Sequence, residues 1–255
     1  MVPGCRRALG PGVCADSLAR GVWELVASGL GFAMSLLSLL ILVFVLSGVT
    51  MLVTALAHVF APRNRIYDDV GRKLRGSKLW TRVFGNMLFS SALVFAMVYA
   101  LHGWLFTKEP TSVLTATWHV VAIMLLYDFL YYLMHRFAFH EFTALKRVHA
   151  VHHAVRHPTA PDSLYLHPLE TFLGLALLIV CTWILGPVGF GTFAIVFGIY
   201  SLLNILVHAG VAFDVLGLRA LGYMAIKHDK HHNSMRGGNF ASITPIWDRL
   251  FGTAE

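Results

Sequence analysis

The chain contains apolar segments far longer than those that a soluble protein buries in one helix. Residues 22–60, 84–106, 112–134 and 168–208 are almost continuous runs of apolar side chains. About 20 such residues in helical form cross a hydrocarbon core of about 30 Å. Hydrophobic residues make up 57% of the 255 and charged residues only 13%, which is unlike a soluble domain. We therefore predict an all-α, multi-pass transmembrane bundle.

The number of spans depends on how these segments divide. The second and third are separated only by the polar joint Thr107–Pro110 and should form a helical hairpin. The fourth has Gly186-Pro187 near its middle, where a helix would break, and should form a second hairpin. The first would reach about 58 Å as one helix, so one extended span and two spans are both open. We predict about four to five spans in one membrane-embedded domain, residues 1–255, with a polar N-terminal tail at 1–21.

Basic residues predict the orientation of these spans. The loop 61–82 carries seven Lys or Arg residues, whereas the hairpin turns carry only Lys108. By the positive-inside rule this loop is cytoplasmic. Residues 135–167 and the tail from 209 return to the same side, because one hairpin separates each pair of loops. The net charge of +7 fits anionic lipid at the membrane surface, and we predict no nucleic-acid partner.

Eight of the fourteen histidines fall in three tight groups, HRFAFH, HAVHH and HDKHH. The last two share the spacing H-x-x-H-H, whose members lie on one face of a helix, so each triplet is expected to aim three imidazoles at one point. Clustered imidazoles repel one another when protonated and cost free energy when unpaired, which favours metal binding. All three groups fall on the predicted cytoplasmic face. The predicted metal ligands are His135, His140, His149, His152, His153, His228, His231 and His232.

The number of ligands predicts two metal ions. Eight imidazoles exceed what one ion takes. Imidazole suits iron, zinc, copper and nickel, so ligand type alone does not choose the metal. The cysteines show no metal-ligand spacing, which argues against a structural zinc site. On an ideal helix His135 and His140 would lie about 140° apart, and we expect this pair to straddle a helix end.

Together these motifs resemble the fatty acid hydroxylase and sterol desaturase superfamily of membrane-bound, histidine-rich, non-haem di-iron enzymes. The resemblance covers residues 128–253, which it implies are the catalytic region, and includes His167-Pro168-Leu169-Glu170 and Trp247–Thr253. It implies that the eight grouped histidines bind two iron ions (Fe2+). It also implies a ninth iron ligand, His208, preceded by Asn204; the alternative for His208 is an interfacial residue that caps a helix end.

The resemblance further implies a reaction. Members use O2 as co-substrate and external electrons to hydroxylate an unactivated C–H bond of a lipid, of sterol or fatty acyl type, with desaturation as the close variant. The usual electron donor is a cytochrome b5 type protein or a ferredoxin with its reductase. The expected location is a bacterial inner membrane or the endoplasmic reticulum. The one G-x-G-x-x-A match, Gly189–Ala194, lies in an apolar run without a strand-turn-helix setting and is interpreted as chance.

Sequence fragments also bear on the branch of the superfamily. Tyr165–Glu170 and Gly238–Phe240 resemble the sterol C4-methyl oxidase branch more than the sterol C5-desaturase branch. The first histidine group has four residues between its histidines, where that branch usually has three. We therefore leave the substrate lipid open.

Asp128 is the one carboxylate predicted to belong to the catalytic site. It lies two turns before His135 on the same helical face. A carboxylate within a span costs about 2.5–3.5 kcal/mol, so it should face inward and find a partner. That partner is either a ligand histidine or a tyrosine, Tyr131 or Tyr132. Trp247–Thr253 are expected to pack over the metal site.

Two alternatives from other functional classes remain. A histidine-rich metal transporter would place its ligands near the bilayer midplane, whereas here they lie in loops or at span ends. A catalytically silent membrane protein could retain zinc in the same site for structure.

Overall fold

The computed structural model describes residues 11–67, 76–215 and 217–255, and for residues 11–27 it describes the backbone only. Over these ranges it is helical, with isolated backbone bridges but no strand. The all-α prediction is confirmed. The helices are α1 (Pro11–Phe60), α2 (Ser77–Leu105), α3 (Val113–Leu133), α4 (Thr143–His149), α5 (Pro168–Leu185), α6 (Phe190–Val207), α7 (Arg219–His232) and α8 (Ile246–Leu250).

Within the described ranges, five helical segments are long and apolar enough to cross a membrane. Ser28–Phe60 is the first and, at 33 residues, forms one candidate span instead of two. The others are α2, α3 extended to Phe139, α5 and α6. Both predicted hairpins are therefore present, and the span count is at the upper end of the prediction.

Two of the predictions fall partly on residues outside the described ranges. Of the polar tail predicted at 1–21, residues 1–10 lie outside, and the rest forms the beginning of α1. Positions 68–75 of the basic loop also lie outside. The chain divides into two compact units, residues 1–41 and 42–255. The cytoplasmic orientation of the bundle stays a prediction.

Outward-facing side chains on these helices are large and apolar. Val113 and Leu114 are 84% and 82% exposed, and Leu88 is 73% exposed. Exposed apolar surface on this scale is unusual for a soluble monomer. It suits helices whose outer faces contact hydrocarbon, where the helical backbone satisfies its own hydrogen bonds.

The two hairpin turns meet at one end of the bundle. The amide of Thr107 donates to the carbonyl of Val188 over 3.0 Å, and the amide of Val188 donates to the carbonyl of Leu105 over 2.9 Å. The opposite end collects the end of α3, the beginning of α5 and the end of α6, together with α4 and α7. The predicted histidine groups all lie at this end.

Local sequence determines where α5 begins. His167 occupies the N-cap position, and its Nδ1 accepts a hydrogen bond from the amide of Leu169 over 3.1 Å. Pro168 follows at the first helical position, where a missing N–H costs nothing. The beginning of α5 fixes the position of Glu170, which reaches the histidines.

Candidate metal centre

Nine buried histidines converge in two groups at this end of the bundle. Within each group, one ring nitrogen from every member lies within 4.8 Å of the others. These are the nine residues predicted from sequence as metal ligands, His208 among them. The first group consists of His135, His140, His149, His153 and His231, and the second of His152, His208, His228 and His232.

The two H-x-x-H-H triplets do not each aim at one point, as the spacing had suggested; that expectation is wrong. In each triplet the first and last histidines enter one group and the middle histidine enters the other. On a helix the last two positions are about 100° apart, whereas the first and last are only about 40° apart. His228 and His232 therefore face one point and His231 faces the other. Each triplet contributes to both groups.

The first histidine pair is brought together by a π-helical turn. Met134–Phe139 continues α3 with wider turns, and the amide of His140 donates to the carbonyl of His135 over 3.1 Å. An i to i+5 pattern stacks residues five apart, so the 140° separation of an ideal α-helix disappears. The pair straddles the end of this helix, as the sequence predicted, because His135 lies in the last turn and His140 occupies the C-cap position. The π-helical form of that turn was not predicted, although the spacing H-x-x-x-x-H suits it.

Hydrogen bonds to the outer ring nitrogen determine the tautomer of most of these histidines. In five of the nine, Nδ1 donates to a backbone carbonyl, which leaves the inner Nε2 with a bare lone pair. The donor and acceptor pairs are His135 with Phe240 (2.7 Å), His140 with Met235 (3.0 Å), His231 with Gly238 (2.7 Å), His208 with Asn204 (2.5 Å) and His232 with Val155 (2.9 Å).

The inner nitrogens of each group lie close together, and in the first group two of them both carry lone pairs. Nε2 of His135 lies 3.1 Å from that of His231, although both rings have committed their one N–H elsewhere. In the second group, Nε2 of His228 lies 2.8 Å from that of His208 and 3.2 Å from that of His232. Two nitrogens bound to one ion at about 2.0–2.1 Å and at a right angle lie about 3 Å apart. These lone pairs fit metal coordination.

Burial keeps the histidines outside the spans neutral. It lowers the pKa of His208 to about 4 and that of His153, with the nearby imidazoles His149 and His140 adding to the effect, to about 2. Burial likewise lowers the pKa values of His228 and His232 well below the usual range. Neutral imidazole is the form that binds a metal. At neutral pH these imidazoles therefore carry no net charge, and each has one nitrogen with a lone pair.

A carboxylate orients one histidine of the first group. Oε1 of Glu170 lies 2.7 Å from Nδ1 of His149, and both side chains are buried. Carboxylate, histidine and metal in series is a common arrangement that fixes the ring and raises its basicity as a ligand. In the sequence, Glu170 was noted only as part of the motif His167-Pro168-Leu169-Glu170. Glu170 and His149 are 21 residues apart along the chain, and no local pattern in the sequence predicts their contact.

The loop 238–244 supplies two of the carbonyl acceptors and is held by the C-terminal segment. Asp248 accepts hydrogen bonds from the amides of Phe240 (2.7 Å) and Ala241 (3.0 Å). It also pairs with Lys227 over 2.7 Å, and the two side chains are only 0% and 2% exposed. Lys227 in turn donates to the carbonyl of Ala241. Sequence analysis placed Trp247–Thr253 over the metal site; the observed contacts are with the loop behind the ligands.

Close packing leaves no room for a side chain at Gly238. A Cβ there would overlap the carbonyl oxygen of Thr253, which accepts a hydrogen bond from the amide of Asn239 over 2.8 Å. The loop and the C-terminal segment therefore lie backbone against backbone next to the acceptor for His231.

Asp128 bonds to neither of the partners expected from sequence. It is fully buried, and its carboxylate accepts from the amides of Ser242, Ile243 and Thr244 and from the Thr244 hydroxyl, at 2.7 to 3.2 Å. No histidine or tyrosine is among these donors. The inward orientation expected of a carboxylate in a span is found, but its partner is the far end of the loop 238–244. The catalytic role predicted for Asp128 stays a prediction.

Other histidines lie outside the two groups. His157 Nδ1 is 3.3 Å from both carboxylate oxygens of Asp229, and its ring packs on Tyr67 with centroids 3.6 Å apart. His102 Nδ1 donates to the carbonyl of Tyr99 in its own helix.

Fold and site together define a class: multi-span helical membrane proteins with two adjacent groups of buried histidine ligands. Comparison with known families is consistent with this class. The model of the fatty acid hydroxylase family matches residues 120–253, just over half of the 255. The chain belongs to the fatty acid hydroxylase family.

Curated relatives share moderate identity with the matched region. Methylsterol monooxygenase 1 of Rattus norvegicus is 32% identical over 165 residues, which is 59% of this chain and 48% of the relative. Fatty acid hydroxylase vlmA of Lecanicillium sp is 28% identical over 176 residues, 58% of this chain and 46% of the relative. The chain thus spans about half the length of the curated relatives it matches. No solved structure has significant similarity to it.

The division of the triplets predicts how paired substitutions affect metal binding. His152→Ala with His208→Ala removes two ligands from the second group and leaves the first complete, so about one ion per chain should keep its original affinity. His152→Ala with His231→Ala removes one ligand from each group and should weaken both ions. Anaerobic titration with Fe2+, counting tightly bound ions, distinguishes the two. An ion with unchanged affinity in the second variant would contradict the division.

The buried ion pair predicts a second effect. Lys227→Met or Asp248→Asn alone leaves an unpaired buried charge or breaks the loop contacts, and should lower the free energy of unfolding by about 3–5 kcal/mol. Arg219→Ala is the matched control, because its pair with Asp214 is 3.4 Å long and more than 70% exposed, and should change little. Thermal midpoints in detergent measure both. Equal midpoints for the buried and exposed variants would refute the role of the pair.

Proposed function

We propose that this protein is a membrane-bound di-iron oxygenase that uses O2 and external electrons to hydroxylate an unactivated C–H bond of a lipid. The observation that carries the proposal is the division of nine buried, neutral histidines into groups of five and four. Membership of the fatty acid hydroxylase family supports it. The relatives named methylsterol monooxygenase and fatty acid hydroxylase favour a sterol or fatty acyl substrate.

The number of ligands in the first group favours iron over zinc. Structural zinc sites are almost always four-coordinate, and catalytic zinc sites use three protein ligands. Five imidazoles around one point exceed both counts. Iron accepts imidazole ligands and sites with open positions for oxygen. When bound, iron would supply the O2 activation that no side chain can perform.

The remaining residues hold the ligands in place. Glu170 orients His149, and the carbonyls of Gly238 and Phe240 orient His231 and His135. Because every acceptor lies behind its ring, the lone pairs point inward before a metal binds. Rings fixed in this way need little rearrangement, which is how a protein preorganises a metal site. In this proposal Asp128 and Asp248 act as positioning residues, since both anchor the loop that carries these carbonyls.

The surroundings of the site support a lipid substrate and an external electron donor. The histidines lie at one end of helices whose outer faces are apolar, which suits an amphiphile with its head group at the interface. Gly189–Ala194 lies at the beginning of α6 within a span. In the part of the chain that the structure describes, no strand precedes it, as a nucleotide-binding motif requires. We therefore propose electron transfer from a cytochrome b5 type protein or a ferredoxin with its reductase.

Desaturation of the same lipid is the second candidate, because the same iron ligands serve both reactions in this superfamily. A metal transporter is less well supported, since its ligands should lie near the bilayer midplane and these lie at the end of the bundle. A silent zinc site is disfavoured by the ligand count of the first group.

Lipid profiling by mass spectrometry tests the proposal. Cells that produce the wild-type chain under 18O2 should gain one lipid class heavier by one labelled oxygen. His228→Ala, which removes a member of the second group, should abolish this product, whereas His102→Ala at the opposite end should not. A loss of two hydrogens without label would identify a desaturase. If no lipid changes in cells with an intact electron-donor system, the proposal that this protein is a lipid oxygenase or desaturase is refuted.

A further inference from the structure

A groove of about 590 Å3 lies between the first half of α2 and the segment before α5. Its lining changes character along its length. Lys78 and Arg82 lie at the end nearest the beginning of α2, and Gly85 and Phe89 follow at helical spacing further along the span. Leu166 and Pro168 line the opposite side. The groove is therefore cationic at one end and apolar beyond.

Among the residues that the structure describes, no carboxylate lines the groove, and neither Lys78 nor Arg82 belongs to an ion pair. The whole of 61–82 contains seven basic and two acidic residues, so an excess of positive charge persists whatever pairs form. Arg82 lies over the ring of Tyr165, 5.3 Å from its centroid, and its Nη1 donates to the carbonyl of Leu166 over 3.4 Å. The guanidinium is thus fixed at the wall of the groove.

The groove is separate from the two histidine groups. Asn86, on its inner wall, donates to the carbonyl of Leu164 over 3.2 Å and accepts from the hydroxyl of Thr171 over 2.7 Å. Thr171 follows Glu170, which is hydrogen-bonded to His149. A molecule in the groove would therefore contact Asn86, which bonds to the residue next to Glu170, without reaching the histidines.

We propose that this groove binds an anionic phospholipid, with its phosphate at Lys78 and Arg82 and an acyl chain along Gly85, Phe89 and Leu166. Charge complementarity selects the head group, because basic residues at a membrane surface attract anionic lipid. The apolar continuation selects a lipid over a free anion, since burial of its chain adds to affinity. The bound lipid would stabilise the beginning of α5, because it contacts Asn86, which is hydrogen-bonded to Thr171. This inference does not depend on the proposed oxygenase activity.

Native mass spectrometry of the purified full-length chain, titrated with phosphatidylglycerol or phosphatidylcholine, tests the proposal. Phosphatidylglycerol should bind more tightly. Each basic residue contributes about 1 kcal/mol, which is about five-fold in affinity, so Lys78→Gln should weaken binding about five-fold. Lys78→Gln with Arg82→Gln should weaken it by more than ten-fold, and Arg82→Lys should retain most of it. Lys108→Gln, in the turn at the opposite end, is the matched control and should change nothing.

Three results would overturn the assignment. Equal affinity for the two phospholipids would remove the role of charge. Unchanged phosphatidylglycerol binding in Lys78→Gln would place the lipid elsewhere, and this variant remains informative if Arg82→Gln fails to fold. Displacement of the lipid by glycerol phosphate at equal concentration would show that the site recognises a free anion and not a lipid.

Discussion

The close approach of unprotonated imidazole nitrogens is the constraint on which the rest of this structure depends. In the first group, Nε2 of His135 lies 3.1 Å from that of His231 and 3.0 Å from that of His149, and Nδ1 of each of these rings is hydrogen-bonded outward. Such lone pairs repel unless a cation lies between them, and burial prevents protons from filling that role. This arrangement favours a bound cation, and the loops and helix ends around the histidines keep the rings in place.

The C-terminal segment supports the histidine site although it contributes no histidine to it. Two buried aspartates from different helices, Asp128 and Asp248, accept hydrogen bonds from backbone amides of the loop 238–244, and Lys227 forms an ion pair with Asp248. The backbone carbonyls of that loop accept from His231 and His135. A buried ion pair is an expensive way to stabilise a fold, and its location behind two ligands indicates that it serves to position them.

Much of the fold and of the histidine site could be predicted from the sequence, because these features depend on local patterns. Apolar run length predicted the spans, Gly186-Pro187 predicted the second hairpin, and motif resemblance drew attention to His208. What could not be predicted depends on three-dimensional choices. The spacing H-x-x-H-H is compatible with one metal ion or two. Only the packing of α7 against the other elements determines that His231 joins one group and His228 and His232 the other. The spacing of His135 and His140 does not show whether the last turn of the helix is α-helical or π-helical. The partners of Asp128 lie more than 110 residues away, where neither helical periodicity nor span hydropathy gives a signal.

Mössbauer spectroscopy of the protein reconstituted with 57Fe2+ under anaerobic conditions tests the central claim most directly. If nine histidines form two adjacent sites of five and four ligands, two iron ions should bind per chain and give two ferrous signals with nitrogen ligation. The two signals should differ, because the sites have different ligand numbers. Saturation at one iron per chain, or an iron signal that persists when both histidine groups are substituted, would contradict the account.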